Sequence, residues 1–265
     1  MLEAPKDINL HIGDKRFEER IFSNSKEESR YFCRLANNIS EVEKAQKLRY
    51  EVFNLELKEG LPGSHLTGLD MDRFDSVCDH LLVFETTNPD RVVGTYRLQP
   101  GNRAKENLGY YSEEEFDLSP LEKQRGEIIE LGRACIDVKH RNLRSLGVLW
   151  RAIGEYAKIH QGRYLIGCSS LTSQDESVGA SAYEILKRYL AEPDFRVKPH
   201  PQYVCSLGKI SEKKVKIPRL LSAYMSIGAK ICGEPAIDRV FKTIDFLTVL
   251  DLKKVSPVVF SMDEN

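Results

Sequence analysis

The chain has 265 residues, 41% hydrophobic and 30% charged, which supplies enough apolar material for a real core and excludes a disordered class. Its 39 Lys and Arg against 40 Asp and Glu leave a formal charge of −1, so no whole-protein electrostatic case for nucleic acid exists. Six scattered cysteines, mostly within apolar runs, form no CxxC and no ligand spacing with histidine; they read as reduced core residues, with no metal site implied.

Residues 1–29 read as a charged N-terminal extension with no apolar run long enough for a signal peptide. No stretch of about 18 apolar residues occurs anywhere, so a cytoplasmic protein is expected, with any membrane contact peripheral at the inner face of the cell membrane. The core then spans 30–210. Tyr31 to Leu35 is a strand candidate, and Ser40-Glu-Val-Glu fits a capping box opening a helix. Val42, Ala45, Leu48, Val52, Phe53 and Leu55 carry that helix to about Leu57. A loop from Glu59 to Asp79 holds Asp70, Asp72, Asp75 and Asp79; strands His80 to Glu85 and Arg91 to Leu98 follow, joined by a Thr-Thr-Asn-Pro-Asp turn.

Gln99 to Gly126 reads as a polar connection with one marginal helix near Ser112 to Phe116. After the next strand come an amphipathic helix, Arg144 to Ile159, a strand, Tyr164 to Ser169, a helix, Ala180 to Leu190, and a short strand near Val204 to Leu207. A block over 211–255 adds a helix, Ile217 to Ile231, and an apolar strand, Ile244 to Leu250; 256–265 is a tail. Uneven alternation of strands and helices predicts a mixed α/β (α+β) class, with antiparallel hairpins beside a parallel crossover.

The strand Glu127-Ile-Ile-Glu-Leu-Gly-Arg-Ala-Cys-Ile-Asp137 is the most informative stretch. It is too continuously apolar for one wet face, yet it holds Glu130 and Arg133, and an unpaired buried charge costs several kcal/mol. Three residues apart they face opposite sides of a regular strand, but a β-bulge at Gly132 brings both to one cleft. Two readings stand: an internal ion pair that fixes strand register, or a catalytic carboxylate steered by a guanidinium.

The chain resembles the acyl-carrier-protein-dependent branch of the GNAT-fold acyltransferases, specifically the ornithine N-alpha-acyltransferase group often labelled hemolysin-like. The resemblance covers about 30 to 255. It rests on Leu48-Arg-Tyr-Glu-Val-Phe53, Asp72-Arg-Phe-Asp75, Cys78-Asp-His-Leu-Leu-Val83, Val93-Gly-Thr-Tyr-Arg-Leu98, Glu130-Leu-Gly-Arg133, Leu149-Trp150 and the tail block Gly228-Ala229, Gly233 to Asp238 and Asp245-Phe246. A broader kinship with acyl-homoserine-lactone synthases puts Arg49, Phe53, Asp72, Asp75, Arg97, Phe116, Glu130 and Arg133 in that family's functional positions. The tail block, and the lack of a tryptophan after Phe53, favour the first family.

The resemblance implies a GNAT-like acyl-CoA N-acyltransferase fold, with a mixed central sheet, a splayed parallel strand pair, flanking helices and a C-terminal helix and strand extension. It implies an enzyme that moves a 3-hydroxy fatty acyl group from acyl carrier protein to the alpha-amine of an amino acid, ornithine by family default, giving a lyso-aminolipid. No bound cofactor is implied; the phosphopantetheine thioester is a substrate, and acyl-CoA stays open as donor. Rival readings are an autoinducer synthase acting on S-adenosylmethionine and a non-catalytic acyl-carrier or membrane-binding module.

Acyl transfer to an amine needs a deprotonated amine, a polarised carbonyl and a thiolate leaving group. Glu130 is the first choice as general base, oriented by Arg133, with Asp72, Asp75 and His80 in reserve; for the aspartates ordinary turn chemistry is the competing reading. Leu98, Phe116, Trp150 and the Tyr164 strand are candidate walls of an acyl slot, or core. Asp238 and Asp245 are candidates for holding the acceptor. Where CoA-dependent GNAT enzymes carry Arg/Gln-x-x-Gly-x-Gly/Ala, this chain has Arg141-Asn-Leu-Arg-Ser-Leu146. Lys139, His140, Arg141 and Arg144 are therefore assigned to acidic carrier-protein surface, with Gly147 able to rescue a shifted CoA loop. Lys213, Lys214, Lys216 and Arg219 ahead of Leu220, Leu221 and Tyr224 suit either an anionic membrane surface or a docking helix with a basic rim.

Overall fold

The computed structural model describes Phe17 and residues 29–212 and 214–256. Most of the predicted N-terminal extension, Lys213 and most of the predicted tail lie outside the described residues.

The strands are β1 (Tyr31–Leu35), β2 (Asp79–Glu85), β3 (Asn88–Pro100), β4 (Phe116–Asp117), β5 (Ile128–Ile136), β6 (Tyr164–Leu171), β7 (Lys198–Pro199), β8 (Lys230–Ile231), β9 (Ala236–Asp238) and β10 (Thr243–Asp251). The α-helices are α1 (Ile39–Arg49), α2 (Ser64–Thr67), α3 (Gly101–Glu106), α4 (Leu143–Ile159), α5 (Glu176–Leu186) and α6 (Arg219–Ser226). One sheet runs in the order β1-β2-β3-β5-β6-β10-β8, with β9 also on β10, while β4 and β7 pair separately. Every neighbour in the large sheet is antiparallel except β5 and β6. The class is thus the predicted mixed α/β, with the GNAT-like parallel pair at its centre.

Alternation along the strands sorts two faces. Ile129, Leu98, Leu165, Ile244 and Phe246 point to the side covered by α4, whose Leu149, Trp150, Ile153 and Tyr156 form its apolar stripe. Phe17 joins this layer edge-on to Tyr156, with ring centroids 6.1 Å apart. On the other face, Ile128, Tyr164, Ile166 and Leu247 pack under Phe116, Leu118 and Leu121 of the 101–127 segment, while Leu82, Phe84, Val92 and Cys135 pack under α1. Burying each such side chain contributes roughly 1.5–3 kcal/mol, so both layers hold the central strands in place.

Several predicted boundaries move for local reasons. Asn38, not Ser40, caps α1, accepting from Glu41 N at 3.0 Å. The helix does not run as one α-helix to Leu57: Tyr50–Glu56 is a π-helix, with Leu57 N donating to Val52 O at 3.0 Å. Asp175 starts α5 earlier than predicted by accepting from Ser177 N at 2.9 Å. Val204 to Leu207 is not a strand; Val204 makes only a single bridge to Ala236. The predicted long tail helix stops at Ser226, because Gly228 adopts φ 103° and turns the chain into β8. The polar connection after Gln99 is structured throughout by α3, β4 and two 3-10 turns, Tyr111–Glu114 and Ser119–Glu127.

Candidate active site

Pairing of β5 with β6 runs only over Ile128 to Glu130, opposite Tyr164 to Ile166. Beyond Glu130 the two strands splay, freeing backbone groups on that side of β5 from the ladder. On its other side β5 carries a bulge: Cys135 faces Thr95 but Gly132 faces Arg97, so Tyr96 stands opposite both Arg133 and Ala134. The bulge predicted here forms, but the left-handed residue is Arg133 at φ 52°, not Gly132. An L-residue in that region costs roughly 1–3 kcal/mol, so surrounding contacts must hold Arg133 there. The extra residue shifts the alternation, and Glu130 and Arg133 face the same cleft.

That cleft is a cavity of about 340 Å³ that passes through the splay. Its apolar end, on the α4 face, is lined by Trp150, Tyr224, Leu221, Leu165 and Leu250. Tyr224 joins Trp150 edge-on at 5.7 Å and hydrogen-bonds the hydroxyl of Tyr96. Helix α6 therefore docks on the core over the slot, which favours the docking-helix reading of the tail. The polar end, on the opposite face, is lined by Glu130, Arg133, Gln99, Glu115, Asp238 and Asp245. Phe53 closes it against Phe241 at 5.5 Å.

Glu130 is held differently from expectation. It is 5% exposed, and its carboxylate accepts from Tyr111 N at 2.7 Å, Ser112 N at 2.8 Å and the Ser112 hydroxyl at 2.6 Å. Burial raises its pKa, while the Ser112 and Tyr111 donors pull the other way. Arg133 does not orient it. Instead the Arg133 guanidinium reaches Asp72, Nη2 to Oδ2 at 2.9 Å, and lies over the Phe241 and Tyr111 rings at 4.4 and 5.2 Å.

The reserve bases are enclosed in an ionic lattice behind the cavity. Asp72 accepts from Arg97 at 2.6 Å as well as from Arg133, and Asp75 accepts from Arg49 at 2.6 and 2.9 Å, from Arg97 at 3.0 Å and from Gln46 at 3.0 Å. Asp72 and Asp75 also cap their own 3-10 turn reciprocally, so the turn-chemistry reading holds alongside the ionic one. Burial opposes ionisation of both, but Arg97 with Arg133 for Asp72, and Arg49 with Arg97 for Asp75, overcome it and hold the carboxyls below the usual range. Neither is a proton acceptor near neutrality. His80 donates from Nε2 to Asp75 O at 3.0 Å, and burial lowers its pKa, leaving a neutral ring off the cavity wall.

Arg49, which the resemblance puts in a functional position as a substrate-binding residue, is 0% exposed and consumed by Asp75 and Asp70; Asp70 Oδ1 stands 3.0 Å from its Nε, off the axis of a hydrogen bond. Asp70 is a pillar of this lattice that sequence reasoning left in a loop series. Phe116 packs from the 101–127 segment onto the sheet as core and does not line the cavity, whereas Phe53, Arg97, Trp150, Asp238 and Asp245 do.

The basic cluster also thins out. His140 is buried with its Nδ1 3.2 Å from the Tyr31 hydroxyl, and Arg141 makes a two-pronged pair with Glu56 at 2.5 and 2.7 Å, leaving Lys139 and Arg144 at the surface. Gly147 lies inside α4 and supplies no loop. The α4 N-terminus is capped by Asn142, which accepts from Ser145 N at 3.1 Å.

Sequence reasoning missed four residues here: Gln99, Tyr111, Ser112 and Glu115. Gln99 was two positions beyond Arg97 on one strand and hence on its face, the one usable signal. The carboxylates of Glu115, Asp238 and Asp245 converge, one oxygen from each within 4.8 Å of the others. Burial and the neighbouring acids raise the pKa of Glu115, and that of Asp245 to about 6. Cys168 lines the cavity between Glu130 and this trio; burial and those same carboxylates raise its thiol pKa, which rules against a thiolate nucleophile at neutral pH. With that thiol held neutral, a nucleophile in this cleft has to be brought in by a substrate.

Comparison with known proteins matches this architecture. Residues 48–151 match the acetyltransferase (GNAT) domain family. The L-ornithine N(alpha)-acyltransferase of Brucella abortus (strain 2308) is 32% identical over 96% of this chain and 94% of its own. The chain belongs to the L-ornithine N(alpha)-acyltransferase family. The family's Agrobacterium fabrum (strain C58) member is 32% identical over 84% of this chain and 81% of its own. Among solved structures, FeeM, an N-acyl amino acid synthase from uncultured soil microbes, superposes with a TM-score of 0.52 at 12% identity, covering 86% of this chain and 94% of its own. The AHL synthase LasI gives 0.50 at 12% identity, covering 89% and 98%. These two share the fold. As a member of the family the chain is an acyltransferase, and among the described residues no helix is long and apolar enough to cross a membrane.

Proposed function

We propose that the chain transfers a fatty acyl group from a carrier-protein thioester to the alpha-amine of an amino acid, ornithine being the acceptor named for its relatives. The observation carrying this reading is a single cavity with an apolar end under α4 and an acidic end at Glu130, meeting where β5 and β6 part. A long acyl chain suits the first end and an amine the second.

In this reading the acyl tail lies along Trp150 and Leu221 while the thioester carbonyl points at backbone N–H groups of the splayed β5 stretch beyond Glu130. Glu130, ionised, takes one proton from the acceptor ammonium, whose unperturbed pKa is about 8. The amine nitrogen then bonds to the carbonyl carbon, the C–S bond breaks, and the thiolate departs. The new amide nitrogen sheds a second proton; of the two released, one ends on the thiol and one in solvent. Arg133 and Arg97 supply positive charge toward an acceptor carboxylate.

A carrier-protein donor is supported by the α4 N-terminus, where the Asn142 side chain takes up the Ser145 N–H that a pyrophosphate would otherwise use, and exposed Lys139 and Arg144 remain for an acidic partner surface. A fatty product leaving past α6, with Leu220 exposed on it, would favour peripheral contact with a membrane. The test is purified protein with 3-hydroxyacyl carrier protein or the matching acyl-CoA and a panel of free amino acids, read by thiol release and product mass. Ornithine-dependent release from the carrier protein, giving the mass of the fatty acid plus ornithine less water, is expected; no release with any acceptor overturns the reading.

A further inference from the structure

The acidic end of the cavity carries more charge than the chain balances. Glu115 and Asp245 are 2% and 3% exposed, and Asp238 is buried with them. Among the described residues none of the three forms an ion pair. Glu115 and Asp245 meet side chain to side chain, an acid–acid contact that is favourable only while one of them holds a proton. The Arg133 guanidinium acts on Glu115, but it is already bound to Asp72. The other contacts of the trio are neutral: Thr243 donates to Asp245 at 2.8 Å, Ser170 also acts on Asp245, and Val240 N and Phe241 N donate to Asp238 at 2.7 and 2.9 Å. Buried like charges this close are stable only when protonated or when a cation joins them.

A second observation points into the same space. Gln99, 1% exposed on β3 directly opposite Glu130, has both its amide oxygen and its amide nitrogen without a partner, and it lines the cavity. A buried primary amide left unsatisfied costs about 1–3 kcal/mol per group. One acceptor and one donor, side by side next to Glu130, match an amine and a carboxylate on one carbon.

We propose that Glu115, Asp238 and Asp245 form the seat for the side-chain ammonium of a diamino-acid acceptor, and that Gln99 holds the acceptor's amino-acid end beside Glu130. This rests on the acyl-transfer reading and adds what chooses between two amines. The seated amine stays a cation and cannot attack. The other stands within reach of Glu130, loses its proton and is acylated. The trio is thereby a specificity and regiochemistry device, separate from the base.

The test compares ornithine with norvaline, which has the same carbon skeleton and no second amine, in binding by calorimetry and in turnover with product regiochemistry by tandem mass spectrometry. Ornithine is expected to bind at least about 30-fold more tightly, the scale of a paired buried charge. Asp245→Asn should raise the ornithine KM by a similar factor while changing the norvaline KM less than threefold, and should admit side-chain-acylated product. Glu115→Gln serves as the second variant, and unchanged thermal unfolding of either shows that folding is intact. Equal binding of ornithine and norvaline to the wild type overturns the seat. So does stabilisation by Mg2+, Mn2+ or Ca2+ alone that Asp245→Asn abolishes while ornithine has no effect, since the trio is then a metal site. Selective ornithine binding without any acyl transfer keeps the seat and overturns the transfer reading.

Discussion

Arg133 Nη2 lies 2.9 Å from Asp72 Oδ2, and this contact joins the bulge of β5 to the loop before β2. Arg133 reaches it only because its backbone is at φ 52°. The bulge turns the guanidinium toward the cleft, and the Asp72, Arg97, Asp75 and Arg49 chain fixes it from behind. The ion lattice is scaffolding that sets the shape of the splay.

Arg133→Ala leaves Asp72 short of one partner inside the protein, and a broken buried pair costs about 3–5 kcal/mol. Urea unfolding should show a loss in that range. Combining it with Asp72→Asn should cost clearly less than the sum of the two single changes, because they share one interaction. Full additivity would mean that Arg133 is held by Asp70, Phe241 and Tyr111 and not by Asp72.

Glu130→Gln should lower kcat by about 10²–10⁴-fold, the usual contribution of a general base. Because burial raises the Glu130 pKa, the acidic limb of the wild-type kcat/KM profile should lie above the ordinary carboxylate range. Activity is lost as pH falls through that limb, when the base becomes protonated, and the variant should lack the limb. The Gln amide also faces donors at Tyr111 and Ser112, so circular dichroism and Tm accompany the rates. A wild-type limb that persists unchanged in the variant assigns the titration elsewhere.

How much of this was legible in the sequence follows from range. Glu130 and Arg133 stood out because charges inside an apolar strand conflict with their surroundings, and that conflict is local. The long strands and α4 follow from apolar runs and a period-3.6 pattern, again local, whereas the short strands β4, β7, β8 and β9 carry too few residues to show a pattern. The partner of Arg133 was not readable: choosing Asp72 over Glu130 depends on which strand register the bulge creates, a tertiary outcome. Tyr111, Ser112 and Glu115 sit in a segment with no clear periodicity, ordered by capping onto Glu130, so only a polar connection with a marginal helix near Ser112 to Phe116 was readable, with no sign of what it caps. The π-helix at Tyr50–Glu56 was invisible for a related reason, since its apolar residues fit an α-helix nearly as well.

Gly167 tests the splay from the β6 side. A Cβ there would stand 2.3 Å from the Leu131 carbonyl oxygen, and a backbone atom cannot yield as a side chain can. Gly167→Ala should destabilise by about 1–3 kcal/mol, the usual cost of overpacking, and should reduce turnover by widening or tilting the strand pair. Urea unfolding together with kcat checks it. A variant as stable and active as wild type would mean that the splay is freely deformable.

The acids of the lattice and of the trio should leave opposite marks on stability against pH. Asp75 is held below the usual range, so its contribution is present above the unfolded value of about 4 and is lost as pH falls toward the folded value. Asp245 is raised from 3.8 to about 6, chiefly by burial, so its contribution is complete below 3.8 and disappears as pH climbs through about 6. At about 1.4 kcal/mol per unit, the second effect is on the order of 3 kcal/mol. In urea unfolding from pH 3 to 8, Asp245→Asn should flatten the decline between about pH 4 and 6, whereas Asp75→Asn should flatten the fall below about 4. Saturating ornithine should reproduce the Asp245→Asn effect on slope, because an ammonium in the seat favours the ionised trio. If ornithine leaves the slope between pH 4 and 6 as it was, the cation does not reach Asp245.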